Sequence, residues 1–115
     1  MRNKEKQEFW KSVNELLPLL CERYPKTFFP KGSMKTLPLK IGIAQDLMEQ
    51  NIDIKAQAIA MFIKQYTAKG RYLRAIATRP WRIDLKGNPC GEVSEKHRNH
   101  ALKKLAARQT RKEAA

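Results

Sequence analysis

The chain has 115 residues, 42% of them apolar, which supports one modest core and a single domain. Lysine and arginine number 24 against 11 acidic residues, and a self-repelling net charge of +13 points to a polyanionic partner. No run of about 18 apolar residues exists to form a helical membrane span, and the charged stretch from Met1 to Glu8 predicts no secretion signal. Cys21 and Cys90 are too few for a disulfide framework, so the expected compartment is a reducing cytoplasm.

Taken in chain order, Phe9, Val13, Leu16, Leu17, Leu20 and Tyr24 recur at helical spacing and predict an amphipathic helix. Pro18 inside it predicts a kink or a split into two short helices, and Pro25 ends it. Lys26 to Pro38, with Pro30, Gly32 and Ser33, reads as an irregular connection. Leu39 to Met48 predicts a short second helix with Ile43, Leu47 and Met48 inward. Asp53 is the expected N-cap of a third helix carrying Ala58, Ile59, Phe62, Ile63 and Tyr66, with Gly70 as its left-handed stop. The period then changes. Tyr72 to Ala77 and Trp81 to Leu85 read as two short strands of a hairpin, with Trp81, Ile83 and Leu85 on the packed face and Arg82 and Asp84 on the other. Lys86 to Gly91 is dense in turn formers. Ser94 caps a last helix with Ala101, Leu102 and Leu105 inward, fraying from Arg108 onward. The expected fold is mainly α with a small β-hairpin: a body over residues 9–106, a basic N-terminal extension 1–8 and a basic C-terminal tail 107–115.

The charge is concentrated within this body as well as in the tail. Arg71, Arg74, Arg79 and Arg82 have no acid among them, and from Lys55 to Gly91 the cations face only Asp53's successor in the chain, Asp84. Lys103, Lys104, Arg108, Arg111 and Lys112 form a second cluster near the end. Cations neutralise phosphates and release counterions, while aromatic and guanidinium planes stack on unpaired bases. Arg71-Tyr72-Leu73-Arg74 and Trp81-Arg82 interleave both kinds of group, so Arg71, Tyr72, Arg74 and Arg82 are candidate nucleic-acid contacts, with Trp81 assigned to the core. Catalysis and cofactor binding are not expected. Cys90, His97 and His100 fall short of four zinc ligands, no Gly-rich phosphate loop is present, and no carboxylate pair suits acid–base chemistry. The rival classes are a DNA-binding module, which needs a polar recognition helix that the apolar third helix does not offer, and a ribosome-associated basic adaptor.

The ordered set Pro38-Leu39-Lys40-Ile41-Gly42-Ile43, Gln45-Asp46-Leu47, Tyr66-Thr67, Arg71-Tyr72-Leu73, the run from Arg82 to Glu92, and His97 ahead of Ala101 resembles the ProQ/FinO family of bacterial RNA chaperones. The resemblance implies a compact, mainly helical domain with a basic concave face. It also implies a monomeric, cytoplasmic, non-enzymatic binder of structured RNA, with small RNA and mRNA 3′ hairpins that carry a single-stranded tail as partners. No small-molecule substrate and no membrane partner are expected. Lys40, Arg71, Tyr72 and Arg82 match positions of the family's RNA face and 3′-end pocket, Lys64 a basic position on the third helix, and Leu73 a pocket-side apolar position. Leu37 and Ala60 stand where the family pattern has arginine, a loss that Lys55 or Lys69 is placed to offset.

Overall fold

The computed structural model describes residues 3–33, 35–50 and 52–114. Helix α1, Asn3–Arg23, buries Val13, Leu16 and Leu20 along one face. It runs through Pro18 as one helix, not two. Pro18 and Asn14 lie on its exposed side, so the carbonyl that the proline deprives of a donor faces water. The helix starts ahead of Phe9, and residues 3–8 of the expected extension are helical; Met1 and Arg2 lie outside the described residues.

The connection from Lys26 to Pro38 is irregular, as expected, but it is anchored deeply. Phe28 is in the core, its ring 5.5 Å from that of Tyr66 and 6.1 Å from that of Phe62. The fully buried Thr27 hydroxyl is shared between the carbonyls of Asp84 at 2.8 Å and Leu85 at 3.1 Å. Helix α2 is only Ile43–Met48, with Ile43 and Leu47 buried. Of its expected first turn, Leu39 lies in a β-bridge and Ile41 and Gly42 form a turn. Leu39 bridges Ile83 in parallel, the Ile83 N–H donates to the Pro38 carbonyl at 2.9 Å, and the Lys40 N–H donates to the Ile83 carbonyl at 2.8 Å.

Helix α3, Ala56–Ala68, buries Ala58, Ile59, Phe62 and Tyr66, as the periodicity predicts. Lys55, not Asp53, precedes it, and no side chain caps it. Gly70 does not stop it in a left-handed conformation; Lys69 alone is extended, and Gly70 opens helix α4, Gly70–Thr78. The expected strand over Tyr72 to Ala77 is therefore helix. Alternation with Tyr72 and Ile76 inward would also bury Arg74, whereas Arg74 is exposed and Tyr72, Leu73, Ala75 and Ile76 form one buried helical face.

The hairpin exists, but its strands are β1, Trp81–Ile83, and β2, Pro89–Glu92, paired antiparallel with a register shift between Arg82 and Ile83. Trp81 is opposite Glu92 at the outer end and is 50% exposed, while Arg82 is only 8% exposed. The expected facing of those two residues is thus reversed, because β2 is exposed throughout and offers Trp81 nothing to pack into. Asp84 forms the turn between the strands, its Oδ1 accepting the N–H groups of Lys86 at 2.9 Å and Asn88 at 3.0 Å.

Helix α5, Glu95–Ala114, is capped as expected: the Ser94 Oγ accepts the His97 N–H at 3.1 Å. Ala101 is buried and Leu105 half-buried, but Leu102 is 49% exposed, and helix continues past Arg108 where fraying was expected. Helices α1 and α3 pack together, α4 packs against α3, and α5 lies along α4. Arg98 reaches the carbonyls of Ala77 and Arg79 at the end of α4, and Arg108 donates to the Ala68 carbonyl at the end of α3, so α5 runs antiparallel to α4.

Gly87, at φ +81°, turns back beneath Lys26, whose Cβ lies 2.5 Å from where a Cβ on Gly87 would sit. Gly42 has a similar φ of +87° but open space around it. Gly42→Ala is expected to cost about 1 kcal/mol from backbone strain alone, and Gly87→Ala about 1–3 kcal/mol more because Lys26 must also move. Urea unfolding of the two variants measures the difference.

Candidate nucleic-acid interface

The joint between α3 and α4 opens a half-enclosed hollow of about 330 Å³. Leu17 of α1, Tyr66 of α3 and Tyr72 of α4 line it together with Phe29, Pro30, Ser33 and Thr36 of the irregular connection. Lys31, Lys69, Arg71 and Arg74 also line it. An Arg71 Nη1–H donates to the Ser33 carbonyl and ties the start of α4 to the irregular connection. Lys69 offers α4 no side-chain cap, so the N-terminal amides of α4 add the positive end of a helix dipole to four cations. Two aromatic rings and a concentrated positive potential in a space of this size suit an anionic group of nucleotide dimensions.

Of the residues expected at the site, Lys69, Arg71, Tyr72 and Arg74 come together here. Tyr72 presents its ring, but its hydroxyl turns inward and accepts the Leu39 N–H at 3.1 Å. Arg82 lies one peptide away, its Nη1–H donating to the Leu39 carbonyl at 2.8 Å. Its Nη2 is 3.1 Å from His97 Nδ1. A guanidinium has no acceptor, so that ring nitrogen accepts and the His97 proton sits on Nε2. The Arg82 Nε is buried without a partner. Lys40 lies outside the hollow, its Nζ paired with Asp46 Oδ2 at 2.7 Å, and this hydrogen bond and charge raise the lysine pKa above its ordinary value. Its amide is not free for a ligand either, being bonded to Ile83. Lys64 is exposed on α3 away from the hollow, and Leu73 is in the core.

Sequence reasoning missed Lys31 and Tyr66 as hollow residues. Lys31 comes from the irregular connection, where no periodicity assigns a direction, and Tyr66 reads only as part of the α3 apolar stripe. The Tyr66 hydroxyl is buried with no well-formed hydrogen bond. Burial, aided by neighbouring Cys21, pushes its pKa up to about 12, with the Phe29 main chain pulling weakly the other way. Both thiols are also held above their ordinary values by burial, Cys90 despite the lowering influence of Lys40 and Arg82, so neither is an activated nucleophile. Among the described residues no group of three His, Cys, Asp or Glu is placed to hold a metal, and no helix is long and apolar enough to cross a membrane.

The chain matches the sequence profile of the ProQ/FINO family over residues 10–115. It is 41% identical over 108 residues to the RNA chaperone ProQ of Aliivibrio salmonicida (strain LFI1238), covering 91% of this chain and 49% of that protein. Among solved structures, it resembles NMB1681 from Neisseria meningitidis MC58, a FinO-like RNA chaperone, with a TM-score of 0.69 at 23% identity over 86% of this chain and 80% of the other. A ProQ homolog from Legionella pneumophila gives a TM-score of 0.68 at 26% identity, over 85% and 83%. The protein belongs to the ProQ/FinO family. The expected mainly helical fold with a small two-stranded sheet is the fold observed. The chain spans about half the length of the curated relative it matches.

Tyr72→Phe and Tyr66→Phe remove the same atom with opposite expected results. Tyr72→Phe leaves the buried Leu39 N–H without an acceptor and should destabilise the fold by about 1–3 kcal/mol, whereas Tyr66→Phe removes an unpartnered hydroxyl and should be neutral or stabilising near pH 7. Chemical unfolding of both variants checks this. Because the folded-state pKa of Tyr66 is raised, its contribution is intact below the unfolded tyrosine pKa of about 10 and is lost as pH rises through about 12. Melting temperatures taken from about pH 9 to about pH 11.5 should therefore fall more steeply for the wild type than for Tyr66→Phe.

Proposed function

We propose that this protein is an RNA chaperone that grips the single-stranded 3′ end of a hairpin RNA in the hollow at the α3–α4 joint. The observation that carries this reading is the convergence of Lys31, Lys69, Arg71 and Arg74 with Tyr66 and Tyr72 around one cavity of about 330 Å³, in a chain of net charge +13. The terminal phosphodiester lies against the α4 amides, Lys69 and Arg71, and the last ribose and base lie against the tyrosine rings and Leu17. The space takes a chain end and excludes a duplex, so the stem stays outside and is followed through its phosphates with little regard to its sequence. Arg82 and Lys40 support this site from behind: one holds Leu39 in place and the other is paired with Asp46. Lys64 is the outlying cation on this reading.

Chaperoning then consists of charge neutralisation that lowers repulsion between RNA strands, with no bond made or broken in the RNA. The protein acts as a monomer in the bacterial cytoplasm, on small RNAs and mRNAs that end in terminator-like stems. Titration of a hairpin with a U-rich tail against the same RNA carrying a 3′ phosphate or a 3′ extension tests this. The free end is expected to bind at least about tenfold more tightly, and Arg71→Ala to weaken that binding by about 1–3 kcal/mol. Equal affinities for free and blocked ends would remove the 3′-end reading.

A further inference from the structure

We infer that Arg108 of α5 and Arg74 of α4 form a two-arginine phosphate clamp across Gly70, which carries RNA contact from the hollow onto the C-terminal half of α5. This deepens the reading of the protein as an RNA binder and rests on it. Arg108 belongs to a segment that the sequence presents as a fraying basic tail, yet its Nη2–H donates to the Ala68 carbonyl, where a cation also suits the negative end of α3. That bond leaves Nη1 turned toward Gly70. Arg108 Nη1 and Arg74 Nη1 each lie 3.5 Å from the point where a Gly70 Cβ would stand, so twice that distance is the widest gap between them. Among the described residues neither guanidinium has a carboxylate partner. Two like charges brought together without an acid in a chain of net charge +13 repel each other unless an anion lies between them. A phosphate group spans such a gap with one oxygen to each guanidinium, at about 2.8 Å per bond.

The clamp lies at the rim of the hollow, since Gly70 and Arg74 line it. Gly70 keeps the floor beneath the two guanidinium groups low. Lys104 and Lys112, four residues before and after Arg108, are exposed on the same side of α5 and continue the positive track by one turn in each direction. The phosphates that fit this track are those of the stem next to the tail. The clamp should therefore act on RNA whether or not its 3′ end is free.

The test uses the full chain, with the same hairpin carrying a free and a blocked 3′ end, titrated across a series of salt concentrations. Arg108→Gln is expected to weaken binding to both RNAs by the same factor, about fivefold near 0.15 M salt, and to reduce the slope of log K against log salt by about 0.9. Arg108→Lys should keep most of that slope. If Arg108→Gln lowers the melting temperature enough to obscure binding, Arg74→Gln reads the other arm of the clamp on the RNA with the blocked 3′ end, where the hollow makes no contribution. An unchanged salt slope in both glutamine variants overturns the clamp while leaving 3′-end recognition intact. Conversely, wild-type indifference to the 3′ end, with the slope still reduced in Arg108→Gln, defeats end recognition and leaves the clamp standing.

Discussion

The Leu39 peptide unit is bonded on both sides by side chains from distant elements: its N–H by the Tyr72 hydroxyl of α4 and its carbonyl by the Arg82 guanidinium of β1. Arg82 in turn holds His97 of α5. One extended residue thus joins the hairpin, the helix beneath the hollow and the last helix. A buried guanidinium is costly unless its donors are used, and a charged hydrogen bond to a carbonyl returns about 1.5–3 kcal/mol. The position of the Tyr72 ring, and with it the floor of the hollow, depends on this knot.

The protein's cations divide into two kinds. Lys40 and Arg82 are engaged within the fold, by Asp46 and by Leu39 with His97, with only the Arg82 Nε left over. Arg98 closes the carbonyl end of α4, as Arg108 does for α3. Lys31, Lys69 and Arg74 instead gather around open space, beside an Arg71 that spends one donor on Ser33. The scarce carboxylates follow the same division. Asp84 is occupied by the turn and Asp46 by Lys40, so neither is available to lower the potential of the hollow.

How far the sequence exposes this arrangement depends on the element. Helices α1 and α3 are legible because a long apolar stripe has one plausible period, and the Ser94 cap is legible because the cap is local chemistry. Helix α4 is misread as strand because its nine residues carry aromatic and branched side chains at spacings that fit either period; packing against α3 and α5 decides the matter. Trp81 and Arg82 are misassigned for a similar reason. Their facing is set by the exposed partner strand and by the distant carbonyl of Leu39, neither of which a local pattern contains. At the candidate site, the run Arg71-Tyr72 with Arg74 is visible as chemistry, but the contribution of Lys31 and Tyr66 arises only when the irregular connection folds back on α3.

The two arginines that fasten α5 also measure α4. Arg98 grips one end of that helix and Arg108 reaches the joint at its other end, ten residues apart along α5, a rise of about 15 Å, against nine residues of α4. A residue gained or lost between the two anchors turns the later one by about 100° and swings it off the joint. Beyond Arg108 no such ruler applies. The span between the two anchors therefore has to keep its count, whereas a change of length after Arg108 leaves both grips in place.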